Sequence, residues 1–138
     1  MTTSIRLGKE IIISARNKIG ILLNISGILC SKGINIHAIS AHAAGNFALI
    51  GLITSNNKKA LSILKRKGYE AVENPVIITE LINKPGFLMK VTNTLVKHKL
   101  DIFNIYGGAT LKGENSILVF TTSDNVKALA VLKKILTQ

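Results

Sequence analysis

Cysteine, proline, aromatic and acidic residues are all scarce in this chain of 138 residues, which has one Cys, two Pro, no Trp and seven Asp plus Glu. The lone Cys30 excludes an internal disulfide and a multi-cysteine metal site, and its place in an apolar helical run predicts an inert core residue. Seven carboxylates are few from which to build a paired-acid site, and no nucleophile–base pair accompanies them. No catalytic residue is therefore assigned, and an enzyme is not expected. His42 and His98 have no partners at metal-ligand spacing, so no metal site and no cofactor are expected either. With aromatics at 4%, the chain is poor in the side chains that stack on unpaired bases. No apolar run approaches the roughly 20 residues that span a bilayer. Met1–Lys9 is too short and too polar for a signal peptide. The expectation is a cytoplasmic protein with no membrane segment.

Apolar residues make up 47% of the chain, enough for one medium core or two small ones. Lys and Arg outnumber acids 18 to 7, for a net charge of +11. Such a charge attracts nucleic acid, anionic ligands or membrane surfaces without specificity. The densest group is Lys58, Lys59, Lys65, Arg66 and Lys67. Most of the cations alternate with apolar residues at helical spacing, the pattern of solvated helix faces.

Two stretches organise the rest. Asn17-Lys18-Ile19-Gly20-Ile21-Leu22 follows the β-branched run Ile11-Ile12-Ile13, and Asn83-Lys84-Pro85-Gly86-Phe87-Leu88 follows Val76-Ile77-Ile78-Thr79. Each precedes about a dozen residues with helical apolar spacing, so each reads as a turn from strand to helix. Helix-start N–H groups are free to donate, and the glycine lets a polar group approach them. Residues 9–16 read as a strand and 20–32 as a helix ended by Gly33 at its left-handed C′ position. A strand resumes at Ile34, turns at Ala44-Gly45-Asn46 and returns over Phe47–Thr54. Ser55-Asn56-Asn57 offers caps for a second helix, which stops at Gly68. Tyr69–Glu73 reads as a short edge strand, and Asn74-Pro75 as a break before the strand Val76–Leu81.

The order then recurs 66 residues on, with Gly20 matching Gly86, Ile25 Val91, Leu29 Leu95, Asn35 Asp101 and Ile39 Ile105. Ser55–Leu61 matches Ser123–Leu129 at an offset of 68, so the second hairpin, around Lys112–Asn115, is two residues longer. The duplication divides the chain into domains 9–74 and 75–138. Each reads strand–helix–strand–strand–helix, which makes an α+β protein of two ferredoxin-like βαββαβ repeats with antiparallel sheets and helices on one face. The shared spacing of Ile34-Ile36-Ile39 and Leu100-Ile102-Ile105 predicts the same bulge in both. No residues remain for a clear fourth strand in the second repeat, so that edge is either bare or filled by a neighbour. The contiguous apolar runs predict that part of the other sheet face is covered by a partner chain or by the other repeat, and a homodimer is inferred. The linker is tight for two domains joined edge to edge, so either 69–75 is the linker or the pairing occurs between chains.

On these residues the chain resembles the ACT domain, whose pattern is a strand, a loop of Asn or Asp-x-Pro-Gly-x-Leu, an apolar helix, and Gly-Ile-Asn-Ile opening the second strand. Here the pattern reads NKIGIL with GINI, then NKPGFL with KLDI, and it covers roughly residues 9–136. The resemblance implies a non-catalytic regulatory protein that binds an amino acid or similar small metabolite at an interface between two ACT domains. It implies ligand contacts at Asn17, Gly20, Ile21 and Asn35 in the first repeat and at Asn83, Gly86, Phe87 and Asp101 in the second. His37 lies on the strand beside the first set. Ile19 replaces the usual proline, and Asp101, in place of Asn, repels a carboxylate but accepts from an ammonium group. The alternative is a basic ferredoxin-like nucleic-acid-binding protein. That function needs aromatics on the central strands, where Phe47–Thr54 and Ser116–Thr122 offer only Phe47 and Phe120.

Overall fold

The computed structural model describes residues 4–136. In chain order its elements are β1 (Ser4–Arg16), α1 (Ile21–Ser31), β2 (Ile36–Ala44), β3 (Phe47–Thr54), α2 (Asn57–Arg66), β4 (Glu70–Ile82), α3 (Phe87–Lys97), β5 (Ile102–Ala109), β6 (Asn115–Thr122) and α4 (Asn125–Leu136). They form two compact units, one of Lys9–Asn74 and one of Met1–Gly8 with Pro75–Gln138. Each has a sheet with helices packed on one face.

In the unit of Lys9–Asn74 the strands lie in the order β2-β3-β1-β4, with β4 represented by residues 70–74. Ile11 and Ile13 of β1, Ile50 and Leu52 of β3, and Ile25 and Leu29 of α1 share one core with Leu64 of α2. Alternate residues of each strand and every third or fourth residue of each helix supply it, as the two periodicities require. Cys30 follows Leu29 on the helix and is exposed, not buried as its apolar neighbours predict. One residue past the core-facing position turns a side chain about 100° toward water.

The other unit repeats this plan with β5-β6-β4 and, beside β4, the first residues of β1. The strand expected to be missing from the second repeat is thus Ser4–Gly8. Ile5 lies in a core with Ile77, Leu95, Phe120 and Leu132. Ser4 Oγ donates to Glu80 at 3.0 Å. Arg6 pairs with the same carboxylate at 3.7 Å. A Cβ on Gly8 would lie 2.5 Å from Ile78 Cδ1, so the glycine leaves the room that the end of the Ile78 side chain fills. The expected break at Asn74-Pro75 does not occur, because β4 runs unbroken through both residues. Proline biases the residue before it toward extended backbone, which continues a strand.

The predicted bulge is present twice, between Ile36 and Ala38 and between Ile102 and Asn104, at positions 66 residues apart. The links from each second helix to its sheet are duplicated as well. Asn57 Oδ1 accepts from Thr54 N at 3.0 Å and Thr54 Oγ1 at 2.7 Å, while its amide donates to Lys9 O at 2.7 Å. Asn125 does the same with Thr122 and with Pro75 O. Replacing Asn57 or Asn125 by Ala should cost each fold about 1–2 kcal/mol, since the amide and hydroxyl of Thr54 or Thr122, at the end of β3 or β6, lose their acceptor. Urea unfolding checks this, and a loss well under half of that would show the link to be dispensable.

Val76 and Ile78 alternate with core residues and so lie on the face away from the helices, as does Val119, the cross-strand partner of Ile78. All three are buried in the single chain. The apolar runs therefore do not by themselves require a partner copy.

Candidate functional site

Each strand-to-helix loop is built around its glycine. Gly20 caps α1 with φ +90°, and Gly86 caps α3 with φ +97°. Both angles lie in the left-handed region that glycine alone enters without strain. Neither helix start has a side-chain cap. A Cβ added at either glycine would meet nothing within 4 Å, so the space outside each loop is open. Ahead of each glycine the chain is pinned to the hairpin turn of its own unit. Asn17 N donates to Asn46 O, and Asn83 N to Glu114 O, both at 2.7 Å. Lys84 Nζ lies 5.2 Å from the Phe87 ring centre, which draws one cation over the second loop.

The side chains of Ile21 and Phe87 turn inward, Ile21 as a core residue of the first unit and Phe87 packed against the core of the second. Asn35 and Asp101 sit where the second strand of each repeat begins. Asn35 N donates to Ser55 Oγ at 2.9 Å, and Asp101 N to Ser123 Oγ at 3.0 Å. The carbonyls of Asn35 and Asp101 accept from the Ser55 and Ser123 amides in return. His37, in the β2 bulge, is exposed, and so is its counterpart Phe103.

Within one unit the expected residues do not come together. Arg16, just before Asn17, pairs with Phe47, whereas Ile36, just after Asn35, pairs with Thr54 at the other end of β3. Seven strand steps separate these ends, or about 23 Å at ~3.3 Å per residue. Asn83 and Asp101 are divided the same way, since Ile82 pairs with Asn115 and Ile102 with Thr122.

The outer strands are the feature that residue-by-residue reading passed over. β2 and β5 end their sheets, and neither IHAISAHAA nor IFNIYGGA contains a charged residue. Soluble proteins usually protect such edges with Lys or Pro. Beside each edge the same positions expose apolar side chains, Leu22, Leu23 and Ile39 in one unit and Leu88, Met89 and Ile105 in the other. Among the described residues no group of three His, Cys, Asp or Glu could hold a metal. No described helix is long and apolar enough to cross a membrane.

A family model for the ACT domain pair matches residues 7–137. The chain belongs to the ACT domain pair family. Among solved structures, this ACT pair resembles protein BT0572 from Bacteroides thetaiotaomicron, at 26% identity over 94% of this chain and 89% of that one, with a TM-score of 0.87. It also resembles the ligand-free regulatory subunit of aspartate kinase from Thermus thermophilus, at 16% identity over 96% and 95% of the two chains, with a TM-score of 0.69. Aspartate kinase from Clostridium acetobutylicum matches at 17% identity over 97% of this chain and 34% of its own, with a TM-score of 0.59. At identities this low the two kinase matches establish the fold. No curated protein matches the ACT pair significantly.

Proposed function

We propose that this ACT pair is a non-catalytic cytoplasmic regulator that binds an amino acid or a similar small metabolite between ACT domains of two copies. The observation that carries this reading is the separation of the Asn17 loop from Asn35 within a unit, together with the bare, uncharged outer strand between them. When two outer strands pair antiparallel, their directions reverse. The start of one then lies beside the end of the other, which is the end nearest the strand-to-helix loop. Asn35 of one copy is thereby carried to the Asn17 and Gly20 loop of a partner domain, and Asp101 is carried likewise to a loop of its own kind or the other. The loop amides meet a carboxylate, and the Asn and Asp side chains take an ammonium group.

The nucleic-acid alternative loses support from the fold. Phe120, one of its two central-strand aromatics, is in the core, which leaves Phe47 as the exposed one.

A thermal-shift screen of the twenty amino acids tests the reading. A ligand at 100 times its dissociation constant should stabilise the protein by ~2.7 kcal/mol, and Asn17→Ala or Asn35→Ala should remove that gain. No response to any amino acid, alongside RNA binding with a steep salt dependence, would transfer the function to the alternative.

A further inference from the structure

The densest group of cations in the chain borders a groove on the helical side of the first unit. Between α1 and α2 a trough of about 580 Å³ is lined by Leu23, Gly27, Ile28 and Lys32 on one side and by Ile63 and Lys67 on the other. Ile63 belongs to the core and forms the floor, while Leu23 at the rim is 78% exposed. Both ends are bridged. Lys59 Nζ donates to Lys32 O at 3.2 Å at one end, and the Asn24 side-chain amide donates to the Tyr69 hydroxyl oxygen at the other. From Asn24 to Lys32 the trough runs about 12 Å at ~1.5 Å per residue, the length of roughly two helical turns.

Nothing within the chain asks for glycine at position 27. A Cβ there would meet nothing within 4 Å, and glycine weakens a helix interior relative to alanine. What it does is keep the middle of the trough open. The second repeat lacks the same stripe, because sixty-six residues on from Gly27, Ile28 and Ser31 stand Asn93, Thr94 and Lys97. The charge around the trough is one-sided as well. Lys32, Lys58, Lys59, Lys65, Arg66 and Lys67 are all exposed, and no Asp or Glu occurs between Glu10 and Glu70. None of the six is paired with a described carboxylate.

We infer that this trough docks an acidic amphipathic helix of a different protein. Apolar side chains on one face of that helix enter over Gly27 and Ile63, and the carboxylates beside them meet Lys32, Lys67 and the other cations of α2. Covering Leu23 and the half-buried Ile28 removes apolar surface from water. A second copy of this chain does not complement the trough, because none of its four helices contains Asp or Glu. Nucleic acid suits it less, since the floor is apolar and no aromatic side chain lines it for bases to stack on. The trough contains none of Asn17, Gly20 and Asn35, so the inference does not rest on the loop site.

The test is an amide NMR titration of the full chain with a 14-residue synthetic peptide whose leucines form one helical face and whose glutamates form the other. Shifts should concentrate at Gly27, Ile28, Lys32, Ile63 and Lys67. A peptide of the same composition, scrambled so that its leucines share no face, should bind at least tenfold more weakly. Gly27→Glu fills the trough with a like charge and places a better helix former there, so it should keep the fold and weaken the peptide at least tenfold. Lys32→Glu/Lys67→Glu should do the same, whereas Lys90→Glu/Lys97→Glu, an equal change of net charge on α3, should leave the affinity within twofold. Trough resonances that ignore the acidic peptide, a scrambled peptide that binds as well, or an undiminished Gly27→Glu variant would overturn the inference. It falls equally if those resonances move with an RNA oligonucleotide in place of the peptide, which assigns the surface to nucleic acid, or with protein concentration alone, which assigns it to a second copy.

Discussion

Deleting Met1–Gly8 should unfold the unit of Pro75–Gln138 and spare the unit of Lys9–Asn74. The deleted segment supplies the strand beside β4 in that unit, and Ile5 is buried in its core with Leu81 and Phe120. Removing a buried isoleucine down to alanine costs about 2–5 kcal/mol, from the lost transfer energy and the cavity left behind. Deletion adds to this the loss of a whole strand's ladder and the exposure of the β4 edge. Small domains have only about 5–15 kcal/mol of stability to lose. Hydrogen exchange read amide by amide checks the outcome, because protection should collapse over residues 75–136 and persist over 9–74. The single change Ile5→Ala should produce the same asymmetry at smaller amplitude. Equal loss in both units, or none in either, would mean that Ser4–Gly8 does not complete the second sheet.

Placing a charge on the outer strands should break self-association and the amino-acid response together. Ile39 is 48% exposed and Ile105 is 38% exposed, so Lys at either position leaves the cores untouched. Paired antiparallel edges would bring two such lysines close, at a spacing where like charges repel and neither is solvated fully. The double variant Ile39→Lys/Ile105→Lys should weaken the dimer at least 100-fold, or ~2.7 kcal/mol at 1.4 kcal/mol per tenfold. Sedimentation equilibrium measures this directly. Thermal shift on the same samples should show the amino-acid gain disappearing as well, because the proposed loop site takes its two halves from different copies. A wild-type chain that stays monomeric at tens of micromolar, or a variant that dimerises and responds unchanged, would end the edge-pairing proposal.

Much of the architecture was legible because it is written twice. The matches at an offset of 66 carry Gly20 and Gly86, Ile25 and Val91, and Leu29 and Leu95 into equivalent places, and a core position must stay apolar in every copy. The bulges at His37 and Phe103 were legible for the same reason, since a break in strand alternation that recurs at one offset reflects geometry. Capping by Asn56, which accepts from Lys59 N, followed from residue type, because its side chain competes well for helix-start amides.

Two features were not legible. Ser4–Gly8 has too few apolar residues to announce a strand, and its place depends on a sheet edge formed by Pro75 and later residues, far along the chain. Pro75 reads as a breaker by type, yet its missing donor is tolerated in β4, where its carbonyl still accepts from Asn125.

The sequence by itself determined the repeated βαββαβ order, the two glycine loops and the residue types available at them, because these depend on local conformation and periodicity. Only the tertiary structure decided that β1 serves both units. It also decided that Asn17 and Asn35 stand at opposite ends of one sheet, because strand register and direction are set by pairing between segments far apart in the chain.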